Sequence, residues 1–493
     1  MKIWRISEHI HCCFDLFLER TKPKFLIDAV INPDNTAPHT HVVTDPEHMH
    51  NIVVDYFQHR VIPTTEMNNT DTIENETLRA YYTRRPLPPN DAQQLIQPIT
   101  KTEIELVLKT CTSWNTPGLD GIQYGIINKS MNIIGNRLAA LYSLMLKQGT
   151  IPEPLLKGLM YPIPKKDVFT GNLNEIRPIM LLKTLKKLLC GIVNKRLTHV
   201  IDKNDFLSSI NVGFTASLAA DDAISTVKDV MDICNLTKRT LYLVQFDIRK
   251  AFDSVSKSSL LASLNAIGIP KELIQLIDTM LTGRTVQVLT KYGLTPEYNP
   301  TMGVEQGDTL SPTLWRIFYN ALILAIEETK ASIKLDADSH YNERTSCIDP
   351  VMVSQVVMAD DLTLLTDSRE KLLKLINVVD EFMCLHNIHV NGSNTIVAIQ
   401  KEILTEEDKQ PIYLQSSPDE PIMQSVNNKE PIRILGAYIC LDGHYSAPRK
   451  IISDLVTKID HTIKTKPMTH QILKYLYNAV FIPSVIYRLA TVA

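Results

Sequence analysis

The sequence predicts an α+β fold, and three kinds of pattern predict it. Apolar stripes at helical spacing mark helices over 126–147, 179–201 and about 217–234. Strict alternation marks a strand over 241–248. Two β-rich runs flank a very short acidic connection between 351 and 366, the pattern of a hairpin. The chain of 493 residues, 44% of them apolar and 21% charged, suffices for a large core. No uncharged apolar run approaches the roughly 18 residues of a membrane span. Met1 to Arg20 lacks the apolar segment of a signal peptide. Eight cysteines with no CxxC pair exclude a disulfide framework and a zinc ribbon, and point to a reduced, intracellular protein. A net charge of −3 excludes a uniformly basic nucleic-acid coat, though not a local patch.

Taken in order, residues 1–100 read as an irregular, partly helical extension broken by prolines, with a polar stretch over 64–77. The spacings His39/His41 and His48/His50 match no metal-ligand set. Residues 102–109 mix charged and apolar residues at helical spacing, and Ser113 to Gly121 follows as a Pro- and Gly-containing loop. Between Lys157 and Lys203, ten Lys/Arg stand against three acids, a surplus of +7. Such a surplus suits either a polyanion site or a solvated helix face. The polar segment 404–430 has the composition of a long surface loop.

The acids are the informative feature. Alternation along 241–248 puts Tyr242, Val244, Phe246 and Ile248 on one face, free to pack on helices, and Leu243, Gln245 and Asp247 on the other. Asp247 then projects from the strand end. Ala251 to Ser254 turns the chain into helices over 256–266 and 271–281. Asp247 alone would be an ordinary turn or cap residue. The second acidic site, Ala359-Asp360-Asp361, sits where the hairpin pattern turns. Adjacent like charges repel unless a cation neutralises them. Ala220-Asp221-Asp222-Ala223 is an internal control with nearly the same letters. It lies in a helical pattern with no strand beside it, so these acids read as helix N-terminal charges. Three carboxylates on two adjacent strands suit a pair of divalent ions about 3.5–4 Å apart, the arrangement for in-line phosphoryl displacement. Carboxylate oxygens favour Mg²⁺. Polymerase, nuclease and phosphatase all fit at this point.

Three motifs occur in order: Phe246-Asp-Ile-Arg-Lys-Ala-Phe-Asp253, Gly303-Val-Glu-Gln-Gly-Asp-Thr-Leu-Ser-Pro312 and Met358-Ala-Asp-Asp361. Together they resemble the reverse-transcriptase domain of non-LTR, LINE-like retrotransposons. Ser113–Gly121, Tyr161–Lys166 with Glu175–Pro178, and Ile434-Leu-Gly436 resemble further segments of that family. The resemblance implies a right-hand polymerase: helical fingers at 101–240, an antiparallel-sheet palm at 241–400, the polar insert at 401–430, and a helical thumb at 431–493. It implies an RNA-directed DNA polymerase with RNA template, DNA primer, deoxynucleotides and two Mg²⁺ ions, for which Mn²⁺ could substitute. Asp247, Asp360 and Asp361 are the expected catalytic acids and metal ligands, with the Ile248 carbonyl assisting. Phe252 is expected beneath the sugar, where its ring excludes a 2′-hydroxyl; simple core packing is the other role for such a ring. Gln306 and Gly307 are expected against the incoming nucleotide, Gly307 allowing close backbone approach. Ser311-Pro312 is expected to open a helix. Lys165 and Arg177 are expected to grip the triphosphate, which would give the +7 segment its reason.

The chain departs from the family in three respects. Position 358 is Met where an aromatic residue is usual. Asn391-Gly-Ser-Asn-Thr395 lacks the family's Lys, a candidate proton donor to pyrophosphate. No endonuclease, zinc cluster or RNase H segment is recognisable, and the chain ends inside an apolar helical pattern, so a truncated thumb and a fragment of a longer polyprotein are expected. A nuclear destination follows only from the family's life cycle. The second function consistent with these motifs is an inactive remnant that binds RNA or an RNA–DNA hybrid; retention of all three acids argues against it.

Overall fold

In a computed structural model, the structure describes residues 25–32, 42–60, 87–165, 168–213, 219–335, 351–422, 424–465 and 469–489. The 64–77 stretch and the His39/His41 pair lie outside them. The fold mixes helix and sheet, as the patterning predicts. Its centre is a five-stranded sheet in the order Gln355–Met358, Asp361–Thr366, Tyr242–Phe246, Ile396–Ile399, Gln424–Val426. The first four strands are antiparallel, and the last runs parallel to Ile396–Ile399. The fifth strand is a correction to the sequence reading. The segment 404–430 is not a long loop but supplies the hairpin Ile412–Leu414/Ser417–Ile422 and then this edge strand.

Both faces of the sheet are covered, which alternation on the central strand does not reveal. Tyr242, Val244, Phe246 and Ile248 enter the main core, as expected. Leu243 on the opposite face is equally buried, against Ala223, Ile224, Val227 and Val230 of the helix Ala220–Thr237. Asp221 and Asp222 occupy the first turn of that helix, and the Asp222 carboxylate accepts from the Ala219 amide. They are helix-end charges, as the control predicts.

The main core is built around the helix Ser311–Glu328, which is apolar on every side and therefore surrounded. Trp315, Phe318 and Tyr319 are fully buried in it. Phe318 and Phe382 enclose the His386 ring, at 4.8 and 4.5 Å between centroids. His386 comes from the helix Arg369–His386, and its Nδ1 lies 2.8 Å from Ser259 Oγ.

A second, four-stranded sheet runs Ile176–Leu181, Lys157–Pro164, Thr285–Thr290, Gly293–Leu294. Its first strand corrects the helix expected from 179: Ile179 to Leu181 are extended, and the helix is Thr184–Lys203. The run Ile-Met-Leu-Leu fits a helical stripe as well as a strand. Its pairing with Lys157–Pro164 breaks the tie. The N-terminal helix Pro46–Asp55, capped by the Asp45 side chain, packs Met49, Ile52 and Val53 on this sheet with Met160, Met180 and Val286. The last part of the chain carries the short hairpin Ile432–Ile434/Ala437–Ile439 and the helices Ser446–Thr465, His470–Leu476 and Ile482–Leu489. Ile434-Leu-Gly436 of the sequence reading leads into its two-residue turn, with Leu435 and Gly436 both at positive φ. Among the described residues no helix is long and apolar enough to cross a membrane.

His386 gives the fold an acid limit. Burial pulls its pKa down to about 3. The unfolded chain therefore takes up a proton below pH 6.5 that the folded chain refuses, and stability falls as pH falls from 6.5 toward 3. The slope from this group approaches about 1.4 kcal/mol per pH unit. Urea unfolding at pH 7, 6 and 5 should show that slope in the wild type and a shallower one in His386→Gln; parallel slopes would contradict the assignment.

Candidate active site

The sheet register brings the three acids together. Leu362 pairs with Phe246 and Thr363 with Gln245, so Asp361 and Asp247 stand next in line, side by side just beyond the last pair. Met358 pairs with Asp361, which leaves Ala359 and Asp360 as the two-residue turn at the hairpin tip. Ala359 adopts φ 61°, a left-handed conformation uncommon for a residue with a side chain. The surroundings enforce it. Trp315 Nε1 donates to the Ala359 carbonyl at 2.9 Å, and the Ala359 amide lies 3.4 Å from Asn211 Oδ1. Gly213 sits so close to the Ala359 backbone that any side chain there would collide.

The three carboxylates sense one another. Burial at the tip, and then the charge of Asp247, push Asp360 above its ordinary value. Burial, then Asp360, then Asp247 push Asp361 up to about 6. Below them Tyr319 is raised by burial and by both tip aspartates. Asp247 is held differently. Its Oδ2 accepts from Asn391 Nδ2 at 2.9 Å and from Asn394 Nδ2 at 2.8 Å. As they stand, no three His, Cys, Asp or Glu side chains among the described residues are gathered closely enough to hold a metal ion. The donor chemistry nevertheless fits one: hard oxygens on adjacent strand ends whose mutual repulsion a divalent cation relieves. The antiparallel bridge between Ile248 and Val390 uses the Arg249 amide with the His389 carbonyl and the Asn391 amide with the Asp247 carbonyl. The Ile248 carbonyl is outside that exchange.

The remaining expected residues are placed as follows. Phe252 is half-buried and stacks on Trp315, 5.6 Å between centroids and 16° between planes. Packing and partial exposure coexist in one ring. Gln306 accepts from the Met180 amide at 2.7 Å, and Gly307 has φ 117°. A Cβ at 307 would fall 2.7 Å from the Met180 carbonyl, so the close approach that requires glycine is to the strand Ile176–Leu181. Arg177 is exposed on that strand, and Lys165 lies exposed where Lys157–Pro164 ends, its amide bonded to the Glu175 carbonyl. The charge of Lys165 is felt by Lys250 and Asp253, in the turn that follows Asp247. Ser311-Pro312 does open a helix, but its N-cap is Leu310, whose amide bonds to the Asp308 carboxylate.

Four of the ten cations in the +7 segment are committed to ion pairs with acids outside it, which corrects the idea that the whole surplus is set aside for a polyanion. Lys186 is fully buried 2.5 Å from Glu305; Arg196 pairs with Glu103, Lys203 with Asp91 and Lys157 with Glu297. These partners lie far away in sequence, so charge counting could not find them. Sequence reasoning also missed four contributors: Asn391 and Asn394 on Asp247, Trp315 bonded to the tip, and Tyr56. The Tyr56 hydroxyl accepts from Lys250 Nζ at 2.7 Å and donates to Asn174 Oδ1 at 2.7 Å, tying the N-terminal extension to the turn after Asp247. Only the Asn-rich letters of 391–395 carry a signal of these contacts in the sequence.

The chain belongs to the reverse transcriptase (RNA-dependent DNA polymerase) family, whose model matches residues 163–439, more than half its length. Within that family it is similar to the Pol polyproteins of retrotransposable elements. It is similar to the retrovirus-related Pol polyprotein from the type-1 retrotransposable element R2 of Popillia japonica, 27% identical over 307 residues, which are 61% of this chain and 39% of that protein. The Pol polyprotein from the type-2 element R2DM of Drosophila melanogaster is 24% identical over 393 residues, 79% of this chain and 34% of that one. That from the type-1 element R1 of Bradysia coprophila is 26% identical over 257 residues, 52% and 24% respectively. The chain thus spans about two-fifths or less of these relatives.

The buried Lys186–Glu305 pair abuts the Gln306–Gly307 segment, and Glu305 Oε1 has no hydrogen-bond partner among the described residues. Lys186→Met should leave an uncompensated carboxylate and cost about 3–5 kcal/mol in denaturant unfolding. A loss below about 1 kcal/mol would show that the pair does not hold this segment.

Proposed function

We propose that this chain is an RNA-directed DNA polymerase that adds deoxynucleotides to a primer 3′-hydroxyl on an RNA template. The observation that carries this reading is the adjacency of Asp247 and Asp361 in the sheet register, with Asp360 at the tip beside them. The family assignment supports it. In this reading the frame is a right hand, with fingers over 101–240, palm over 241–400 and thumb over 431–493, and with the 401–430 insert extending the palm sheet. Asp247, Asp360, Asp361 and the Ile248 carbonyl would hold two Mg²⁺ ions. When bound, such ions activate the primer hydroxyl and neutralise the leaving pyrophosphate.

The chain's own residues bind, orient and exclude. Arg177 offers a planar guanidinium for bidentate phosphate contact, and Lys165 adds a mobile point charge. Their exposed positions leave both free to meet a triphosphate. Phe252 bars a 2′-hydroxyl by bulk, and its stack on Trp315 keeps the ring from yielding. Gln306 and Gly307 present backbone and amide to the nucleotide, fixed from behind by Met180. Catalysis in this scheme is positioning plus charge compensation, with no covalent intermediate on the protein. Base choice falls to the template.

Purified protein supplied with Mg²⁺, an RNA template, a DNA primer and deoxynucleotides should extend the primer. Asp360→Asn should lower the rate at least about 10²-fold. Folded wild-type protein that binds template yet extends nothing would overturn the reading in favour of an inert RNA-binding remnant. In the same assay Phe252→Ala should relax discrimination against ribonucleotides by on the order of tenfold to a hundredfold; unchanged discrimination removes the steric role given to the ring.

A further inference from the structure

We propose that Asn391 and Asn394 are positioning residues that set the orientation of the Asp247 carboxylate for a divalent cation, and that the 412–426 insert braces the loop carrying them. The proposal rests on the polymerase reading above.

The loop after the helix Arg369–His386 engages almost every polar atom of Asp247. The Asp247 amide donates to Thr395 Oγ1 at 3.2 Å, and its carbonyl accepts from the Asn391 amide at 2.8 Å. Two side-chain amides then converge on Oδ2, while no hydrogen bond is made to Oδ1 by the described residues. Two donors on one oxygen fix the rotation of the carboxylate and leave the other oxygen as ligand. Neutral amides do this without placing a competing positive charge beside the cation, as a lysine would. Carboxylate ligands commonly depend on such outer hydrogen bonds for orientation.

The donors are themselves oriented. Ser393 Oγ donates to Asn391 Oδ1 at 2.8 Å, so the NH₂ end of that amide is the one turned to Asp247. The Asn391 carbonyl accepts from the amides of Asn394 at 3.1 Å and Thr395 at 3.0 Å, closing the loop on itself. From outside, the insert grips the same loop. Ser417 Oγ accepts from the Val390 amide at 2.9 Å, and His389 Nδ1 lies 2.7 Å from the Ser416 carbonyl. Gly392 lies so tightly against the Glu420 and Pro421 carbonyls that any side chain there would displace the strand Ser417–Ile422. Glu420 also meets Arg249, two residues past Asp247, at 2.6 Å. The insert therefore touches the chain on both sides of the loop that holds the acid.

The test is Mn²⁺ binding to the full chain without nucleic acid, followed by electron paramagnetic resonance of the free ion, beside the Mg²⁺ dependence of primer extension. The Asn391→Ala/Asn394→Ala double variant should bind Mn²⁺ about 10- to 100-fold more weakly. Its half-maximal Mg²⁺ concentration should rise in parallel, with an unchanged melting temperature. Asn394→Gln, which keeps an amide donor, should recover part of the loss relative to Asn394→Ala. Gly392→Ala, with both asparagines intact, should weaken Mn²⁺ in the same direction by dislodging the brace. Wild-type Mn²⁺ affinity in the double variant, with an active wild type, overturns the proposal and leaves the polymerase reading standing. A folded wild type that neither binds Mn²⁺ nor extends a primer overturns both.

Discussion

The position of one strand governs this molecule. Tyr242–Phe246 is hydrogen-bonded on one edge to Asp361–Thr366 and on the other to Ile396–Ile399. A slip of one residue against either neighbour would exchange the faces of every side chain on the strand. Leu243 and Val244 are both fully buried, on opposite faces, so neither face tolerates that exchange. The same pairing that seats these apolar residues sets Asp247 against Asp361. Core packing and site geometry are one constraint, and the acids need no separate device to find each other.

The cost of gathering like charges is met locally. The hairpin tip takes a left-handed residue at Ala359 that a glycine would adopt more easily, and Trp315 and Asn211 hold it there. Trp315 also stacks on Phe252, so the ring expected to face the sugar and the tip expected to face the ions share one rigid support. Strain and charge repulsion of this kind persist only where neighbouring contacts over-determine them. The largely buried helix Ser311–Glu328 provides the Trp315 contacts.

What the sequence made legible was local. Alternation before Asp247 and the two-residue acidic tip each lie within a few residues, and their separate contexts distinguished them from Asp221 and Asp222. What it hid was tertiary. The strand Ile176–Leu181 carries letters that fit a helix equally well, and only its pairing with Lys157–Pro164 decides the matter. Gln424–Val426 is three residues within a polar stretch, ordered by the neighbour it joins rather than by its own composition. The partners of Lys186, Arg196 and Lys203 come from remote segments, so charge counting overstates the free surplus. The amides on Asp247 were visible as letters, but hydrogen-bond direction is a property of the folded loop.

The order of the sheet also bears on how the chain is made. The central strand leaves the ribosome long before either neighbour exists, since Phe246 must wait for Leu362 and Val244 for Val397. During that interval a run of apolar residues with two bare edges is exposed to solvent and to other chains. Non-local pairing of this sort folds slowly and invites misassembly. The helix Ala220–Thr237, synthesised just before the strand and packed on its Leu243 face, is a partner already present to cover that face.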